Sequence, residues 1–298
     1  MKISLLRYVL ASLSLGLACA ADASVPDYQL ALRYTQQADW KNAETALDRV
    51  LQNSPGYMPA VLLKGRVLFS LGRYAESLKT TQQFLEQEPY SGEARKLAGL
   101  AYFMTGNQEG ARSELQKASE LSPRDADSFY YLGRVYFTAS NLPLALSAFE
   151  TAIKLDPGSI RARNHLGQTL EGLARFSEAK SAYLSAIKLE GAPKNGSEWP
   201  YHNLAVLMLQ QGEAEEAIKY FREALARNPS LVISKVKLAV ALSDLSKLAE
   251  ARTVLEEALR LEPRSPEAHY QIARLLTKMR HPEEARKHFL IFQQIKTP

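Results

Sequence analysis

Prolines recur at a fixed distance along this chain. Pro55, Pro89, Pro123 and Pro157 stand 34 residues apart, and Pro229 and Pro263 resume the same step. From Pro157 to Pro229 is 72 residues, two periods plus four, so one insertion of about four residues near Gly191 to Pro200 restores the register. Two columns of small residues then run the length of the chain. One reads Ala43, Ser77, Ala111, Ala145, Ala179, Ala217, Ala251, Ala285; the other reads Ala31, Gly65, Gly99, Gly133, Gly167, Ala205, Ala239, Ala273. A repeat of this length restricts the chain to stacked copies of one supersecondary unit.

The unit is legible in the fourth repeat. "SFYYLGRVYFTAS" and "LPLALSAFETAIKL" each place apolar residues three and four apart, the period of a helix with one buried face. Leu132, Val135 and Tyr136 point inward from the first helix, and Leu146, Phe149, Ile153 and Leu155 from the second. Gly133 and Ala145 are small enough to let the two helices approach closely. Pro157 stops the second helix, because proline has no N–H and disfavours helix at the preceding residue. A lone hairpin cannot cover its apolar face, so hairpins must stack.

The period, with Leu132-Gly133, Tyr136, Ala145, Phe149, Ala152 and Pro157, resembles the tetratricopeptide repeat, here in the manner of an exported bacterial member of that family. The resemblance covers residues 24 to 297. It implies an all-α, right-handed α-solenoid of eight antiparallel hairpins, with a short insertion between repeats five and six. Residues 24–298 then form the solenoid, with repeats at about 24–57, 58–91, 92–125, 126–159, 160–193, 198–231, 232–265 and 266–298. Family members are mostly adaptors whose concave groove holds an extended peptide or a partner helix, and no cofactor is implied. Ser77 departs from its alanine column. Phe84 and Phe292 stand where Ala118, Ala152, Ala186, Ala224 and Ala258 occupy the other repeats. Phe292 would obstruct a ninth hairpin. Leu290, Ile291 and Ile295 either form an open apolar end or are scattered exposure around a seal made by Phe289 and Phe292.

In such arrays the first helix of each hairpin lines the inner surface. Stepping by three and four gives Leu62, Arg66 and Phe69; then Lys96, Leu100 and Phe103; then Tyr130, Arg134 and Phe137. Repeat five offers Arg161, Asn164, Gln168 and Glu171, and repeat six offers Trp199, His202, Asn203 and Val206. Rings, arginines and amides suit a peptide, supplying apolar anchors, carboxylate or cation–π contacts and backbone hydrogen bonds. The plainer alternative has the rings packing between helices and the arginines lying on a solvated face. The lysine–asparagine set with which some family members grip a terminal carboxylate is not matched, since Leu100 follows Lys96. The asparagine ladder of certain glycosyltransferase repeats is reduced to Asn203. The insertion is rich in turn formers, and either makes a local hinge or is a tolerated loop over which Trp199 packs.

The N-terminus reads as a secretory signal, residues 1–23. Lys2 and Arg7 precede an apolar run from Tyr8 to Ala18, and small residues follow, permitting cleavage after Ala20 or after Ala23. A retained anchor helix is the alternative. Cys19, the only cysteine, sits where a lipoprotein signal carries its acylated residue, although Gly16 departs from that pattern. An acyl chain there would tether the protein to the outer membrane; without it no membrane contact is expected, and the mature protein is periplasmic or secreted. Lys2 and Arg7 account for two of the net +5 charges, leaving +3 for residues 21–298, too weak and too mixed a charge for nucleic acid.

Nothing points to catalysis. The mature chain has no thiol, and none of the five histidines follows His-Glu-x-x-His spacing. No Gly-x-Ser-x-Gly turn or glycine-rich phosphate loop occurs. His165 and His202 fall in neighbouring repeats but lack further metal ligands. The expected function is a non-catalytic adaptor binding a protein or peptide; the family resemblance implies a setting in envelope assembly, pilus biogenesis or polysaccharide export. Two other classes stay open. One is a structural protein that self-associates, for example as a homodimer through its C-terminal end. The other is a glycan binder stacking sugars on Tyr130, Phe137 and Trp199.

Overall fold

The computed structural model describes residues 26–189 and 197–296. The expected leader with its proposed cleavage sites, Cys19 and most of the insertion lie outside the described residues. Sixteen α-helices and no strand occur among those described, paired as the eight expected hairpins. They fall into two compact units that divide after Pro157. The first holds α1 (Pro26–Gln36) with α2 (Trp40–Asn53), α3 (Met58–Ser70) with α4 (Tyr74–Gln87), α5 (Gly92–Met104) with α6 (Gln108–Leu121), and α7 (Ala126–Thr138) with α8 (Leu142–Leu155). The second holds α9 (Ile160–Gly172) with α10 (Phe176–Leu189), α11 (Trp199–Gln210) with α12 (Ala214–Arg227), α13 (Val232–Asp244) with α14 (Leu248–Leu261), and α15 (Pro266–Lys278) with α16 (Pro282–Lys296).

Every hairpin turns in the same way. The second residue past the first helix adopts the left-handed conformation: Gly72, Gly106 and Gly212, and also Ala38, Ser140, Ala174, Ser246 and Arg280, at φ between 55 and 83°. The next amide reaches back to the last turn of that helix, as Asn141 N to the Tyr136 carbonyl at 2.8 Å, closing orphan carbonyls. Asn107 and Asn141 then cap the following helix with their side chains. Ser91, Ser159 and Ser265 cap first helices in the same manner.

The small columns lie where helices cross. A Cβ on Gly133 would stand 2.8 Å from the Phe149 ring, one on Gly99 2.6 Å from Leu115, and one on Gly167 2.4 Å from Tyr183. Glycine is thus needed so that a large side chain of the second helix can lie across the backbone of the first. Hairpin two solves the same problem with polar atoms. Ser77 donates from Oγ to the Gly65 carbonyl at 2.7 Å, and Thr81 donates to the Ser77 carbonyl at 2.8 Å. Phe84, the bulky departure from its alanine column, is buried.

Within the first unit α3 packs against α5 and α5 against α7; within the second, α9, α11, α13 and α15 pack in sequence. The first helices therefore form the tightly spaced layer of each unit, and their outward stripe is the inner face. At the C-terminal end Phe289 and Phe292 both lie against Tyr270, with centroids 6.2 and 5.3 Å apart. Ile295 is half-buried, while Leu290 and Ile291 are 50% and 36% exposed.

Candidate functional site

On the first unit, the inner stripe is largely engaged by the protein itself. Arg66 pairs through Nη1 with Glu93 Oε1 at 3.1 Å, linking α3 to the first turn of α5. Lys96 is buried and pairs with Asp125 Oδ2 at 2.8 Å, just ahead of α7. Burial pushes the Asp125 carboxyl up. The Lys96 charge and the hydrogen bonds from Lys96, Ser128 and the Asp127 backbone outweigh it and hold the group below the usual carboxylate range. Leu62, Phe69, Leu100 and Tyr130 are buried. Tyr130, read as a ring for stacking a ligand, instead packs against Tyr131 and Phe149, at 4.9 and 6.0 Å.

Besides Arg66, three residues of the stripe remain half-exposed: Phe103, Arg134 and Phe137. The Arg134 guanidinium lies 4.8 Å from the centre of the Phe103 ring and 6.0 Å from those of Tyr130 and Tyr131. Among the described residues no carboxylate forms an ion pair with it. Phe103 comes from α5 and Arg134 from α7, so the plate forms only when consecutive hairpins stack. Its rings fix the guanidinium without consuming the N–H donors.

On the second unit, Asn203 donates from Nδ2 to Asn164 Oδ1 at 2.9 Å, tying α11 to α9. His202 is buried, with Nδ1 2.7 Å from Ser234 Oγ and the Trp199 ring edge-on at 5.8 Å. Burial, aided by the charge of Lys237, pushes its pKa down to about 4, so the imidazole is neutral at neutral pH. Glu171 accepts a hydrogen bond from the buried Tyr183 hydroxyl, and burial raises both groups. His165 donates from Nδ1 to the Arg161 carbonyl at 2.9 Å, within its own helix. His165 and His202 are thus each committed to a structural hydrogen bond. No group of three metal-ligating side chains occurs among the described residues. Gln168, Trp199, Asn203 and Val206 stay half-exposed.

Of the sequence-read residues, then, the fold buries Phe69, Lys96, Tyr130, Asn164 and His202. It leaves Phe103, Arg134, Phe137, Gln168, Trp199 and Asn203 on the inner faces, with Arg66 held in its ion pair. The reading missed Glu93 and Asp125, the acids that neutralise Arg66 and Lys96. It also stopped at repeat six. Continued by the same steps into repeat eight, the stripe reaches Tyr270, Arg274 and Thr277, with Gln271 and Lys278 in the adjacent column.

In each unit, stacked helical hairpins with a layer of first helices define an α-helical repeat protein. The chain belongs to the tetratricopeptide repeat family: tetratricopeptide-repeat models match residues 28–83, 160–193, 200–231 and 242–290, and a further TPR-repeat model matches 99–140. A stretch of 85 residues is 35% identical to the tetratricopeptide repeat and J domain-containing co-chaperone DNJ1 of Fusarium oxysporum f. sp. lycopersici, covering 28% of this chain and 16% of that protein. The fold is similar to that in the crystal structure of the APC/C hetero-tetramer Cut9–Hcn1, with TM-score 0.65 and 18% identity over 86% of this chain and 50% of that one. It is also similar to pilF of Pseudomonas aeruginosa, with TM-score 0.61 and 24% identity over 69% of this chain and 91% of that one. The chain thus spans only a small part of the curated relative and half of Cut9–Hcn1.

Proposed function

We propose that this protein is a non-catalytic adaptor that holds an extended peptide or a partner protein against its inner faces. The observation that carries this reading is Arg134. A guanidinium fixed over three rings, with no carboxylate partner among the described residues, is a preorganised donor for a carboxylate or backbone carbonyl of another chain. Phe103 and Phe137 supply apolar anchors beside it. Gln168, Trp199 and Asn203 give the second unit the same mixture of ring and amide.

The test is a selection of random displayed peptides on the folded protein, followed by calorimetry of the selected sequences. Arg134→Ala and Phe103→Ala are each expected to weaken such a peptide by about 2 kcal/mol, roughly thirtyfold, as for an interface hot spot. Peptides that bind both variants as tightly as the parent would remove the adaptor reading from this face. Soluble glycans retained in high salt, and lost with Trp199→Ala, would favour the glycan reading.

A second reading rests on Leu290 and Ile291, exposed side by side on α16. An isologous contact through this end would make a homodimer. Ile291→Glu is then expected to convert a dimer to a monomer in light scattering, and a parent that is already monomeric disposes of the idea. Export is a separate proposal, supported by the leader alone. Mass and N-terminal sequence of the protein recovered from cells are expected to show cleavage after Ala20 or Ala23, or an acylated Cys19. A role in envelope assembly depends on that result.

A further inference from the structure

Arg134 apart, the two units differ in how they treat their inner cations. In the first, Arg66 and Lys96 are neutralised by Glu93 and Asp125. In the second, α15 carries Arg274 and Lys278, one helical turn apart on the same face, and neither forms an ion pair with a described carboxylate. Lys278 donates from Nζ to Ser243 Oγ at 3.0 Å, which leaves two of its three N–H bonds unspent. Arg274 is exposed, its guanidinium 5.7 Å from the centre of the Tyr270 ring. The nearest acid on the same helix, Glu267, already accepts from Gln271 Nε2 at 2.9 Å.

These groups border a notch of about 30 Å³ between α13 and α15, lined among others by Val240, Ser243, Asp244, Gln271, Arg274 and Lys278. Its floor is apolar, from Ala239, Leu255 and Leu275. The volume is about a tenth of the smallest drug-sized pocket, so the notch takes a protruding group and not a cofactor. Asp244 offsets one of the two positive charges. The surroundings add to the excess: residues 232–296 hold twelve basic and eight acidic side chains, whereas residues 26–157 hold fourteen and fifteen.

We propose that the inner face of the last two hairpins binds an acidic segment of a partner protein in extended conformation, with carboxylates at alternate positions on Arg274 and Lys278 and a small apolar side chain directed at the notch. This rests on the adaptor reading above and names the chemistry of one part of its surface. The spacing selects the ligand. Residues four apart on a helix are separated by about 6 Å along the axis. Alternate residues of an extended strand, which project to the same side, lie about 6.6 Å apart. Two side-chain carboxylates on one strand therefore meet the two cations together, while a single terminal carboxylate meets only one. The intervening residue faces the other way, and flanking positions supply the apolar group.

The test uses fluorescence anisotropy with the full folded chain and three labelled peptides. The first carries two glutamates at alternate positions, with alanine at all others, and ends in a free carboxylate. The second is its amide-terminated twin. The third is the amide twin with every glutamate replaced by glutamine. The first two are expected to bind equally, the third at least tenfold more weakly, and added salt to weaken the first two alone. Arg274→Gln and Lys278→Gln are each expected to cost about tenfold, while Arg260→Gln, the same charge change on α14, leaves binding within twofold. Equal binding of the glutamine peptide, indifference to Arg274→Gln and Lys278→Gln, binding that requires the free terminus, or no binding of any peptide would each overturn the proposal. Failure here with displayed peptides still dependent on Arg134 and Phe103 would leave the adaptor reading standing. Loss of both would remove the two together.

Discussion

Two neighbouring residues on α7 show how sharply this fold separates structural from presented positions. Gly133 lies under the fully buried Phe149 ring, where even a methyl group would sit 2.8 Å from carbon. Arg134, next in sequence, rests on rings at the surface. Gly133→Leu is expected to cost more than about 3 kcal/mol, since neither the ring nor the helix backbone can yield. Arg134→Leu loses only a cation–π contact, about 1 kcal/mol or less. Thermal melts of the two variants side by side decide this, and equal shifts would mean that the register is wrong. His202 gives a titration to match. Its pKa falls from an ordinary 6.5 to about 4 on folding, so the unfolded chain binds the proton more readily. The associated stability is therefore complete above pH 6.5, drains away as pH falls towards 4, and amounts to about 3 kcal/mol. His202→Asn, which can still bond Ser234, is expected to flatten the melting temperature across that window. A parent whose stability is already flat from pH 6.5 to 4 would contradict the burial argument.

At the scale of the helix, the eight hairpin turns share one backbone geometry and differ in the residue that adopts it. Gly72, Gly106 and Gly212 do so without strain; Ala174 does so at φ 57° with a Cβ. Such a residue costs about 1 kcal/mol relative to glycine, partly offset by glycine's greater freedom when unfolded. Ala174→Gly is expected to stabilise by about 0.5 kcal/mol and Gly106→Ala to destabilise by about 1 kcal/mol, both read from urea midpoints at unchanged m-value. The element pattern was open to the sequence because it repeats: a small residue where the two helices cross and a proline two residues past most second helices are imposed again and again by the same packing. The turn residues escaped that logic, since five of the eight are not glycine and only their position shows what they do. The inner face was legible for a related but weaker reason. Steps of three and four locate a stripe on each helix, but they do not show that Glu93 reaches Arg66 or that Asp125 reaches Lys96. Such pairs join residues 27 and 29 apart in sequence, through the stacking of hairpins.

For the molecule as a whole, stability is a matter of neighbours, and the C-terminal hairpin has them on one side only among the described residues. Its second helix, α16, buries Ala285 alone, whereas α14 buries Ala251, Leu255 and Ala258. In a nearest-neighbour array such an end opens first. Besides the Phe289 and Phe292 rings on Tyr270, polar contacts secure α16: Arg252 reaches from α14 to Glu284 at 2.9 Å, and the His269 and His288 rings meet through their Nδ1 atoms at 2.9 Å. His269 Nε2 also lies 3.0 Å from the Pro263 carbonyl, which can only accept, so that nitrogen carries the proton. Of the two facing Nδ1 atoms one donates and the other accepts. Burial and the His269 and Arg252 charges lower the His288 pKa, against the opposing pull of Glu284 and Glu256. Because the folded value is the lower one, the contribution is full above the ordinary histidine range and disappears as pH falls through it. Hydrogen exchange is therefore expected to show α16 less protected than α14 at pH 7, and to lose protection further by pH 5 while α14 holds. His288→Gln should abolish the second effect and keep the first, because the exposed end remains exposed whatever its charge. Protection of α16 equal to that of α14 at pH 7 would mean that something covers Leu290 and Ile291 in solution, and would turn attention to the homodimer.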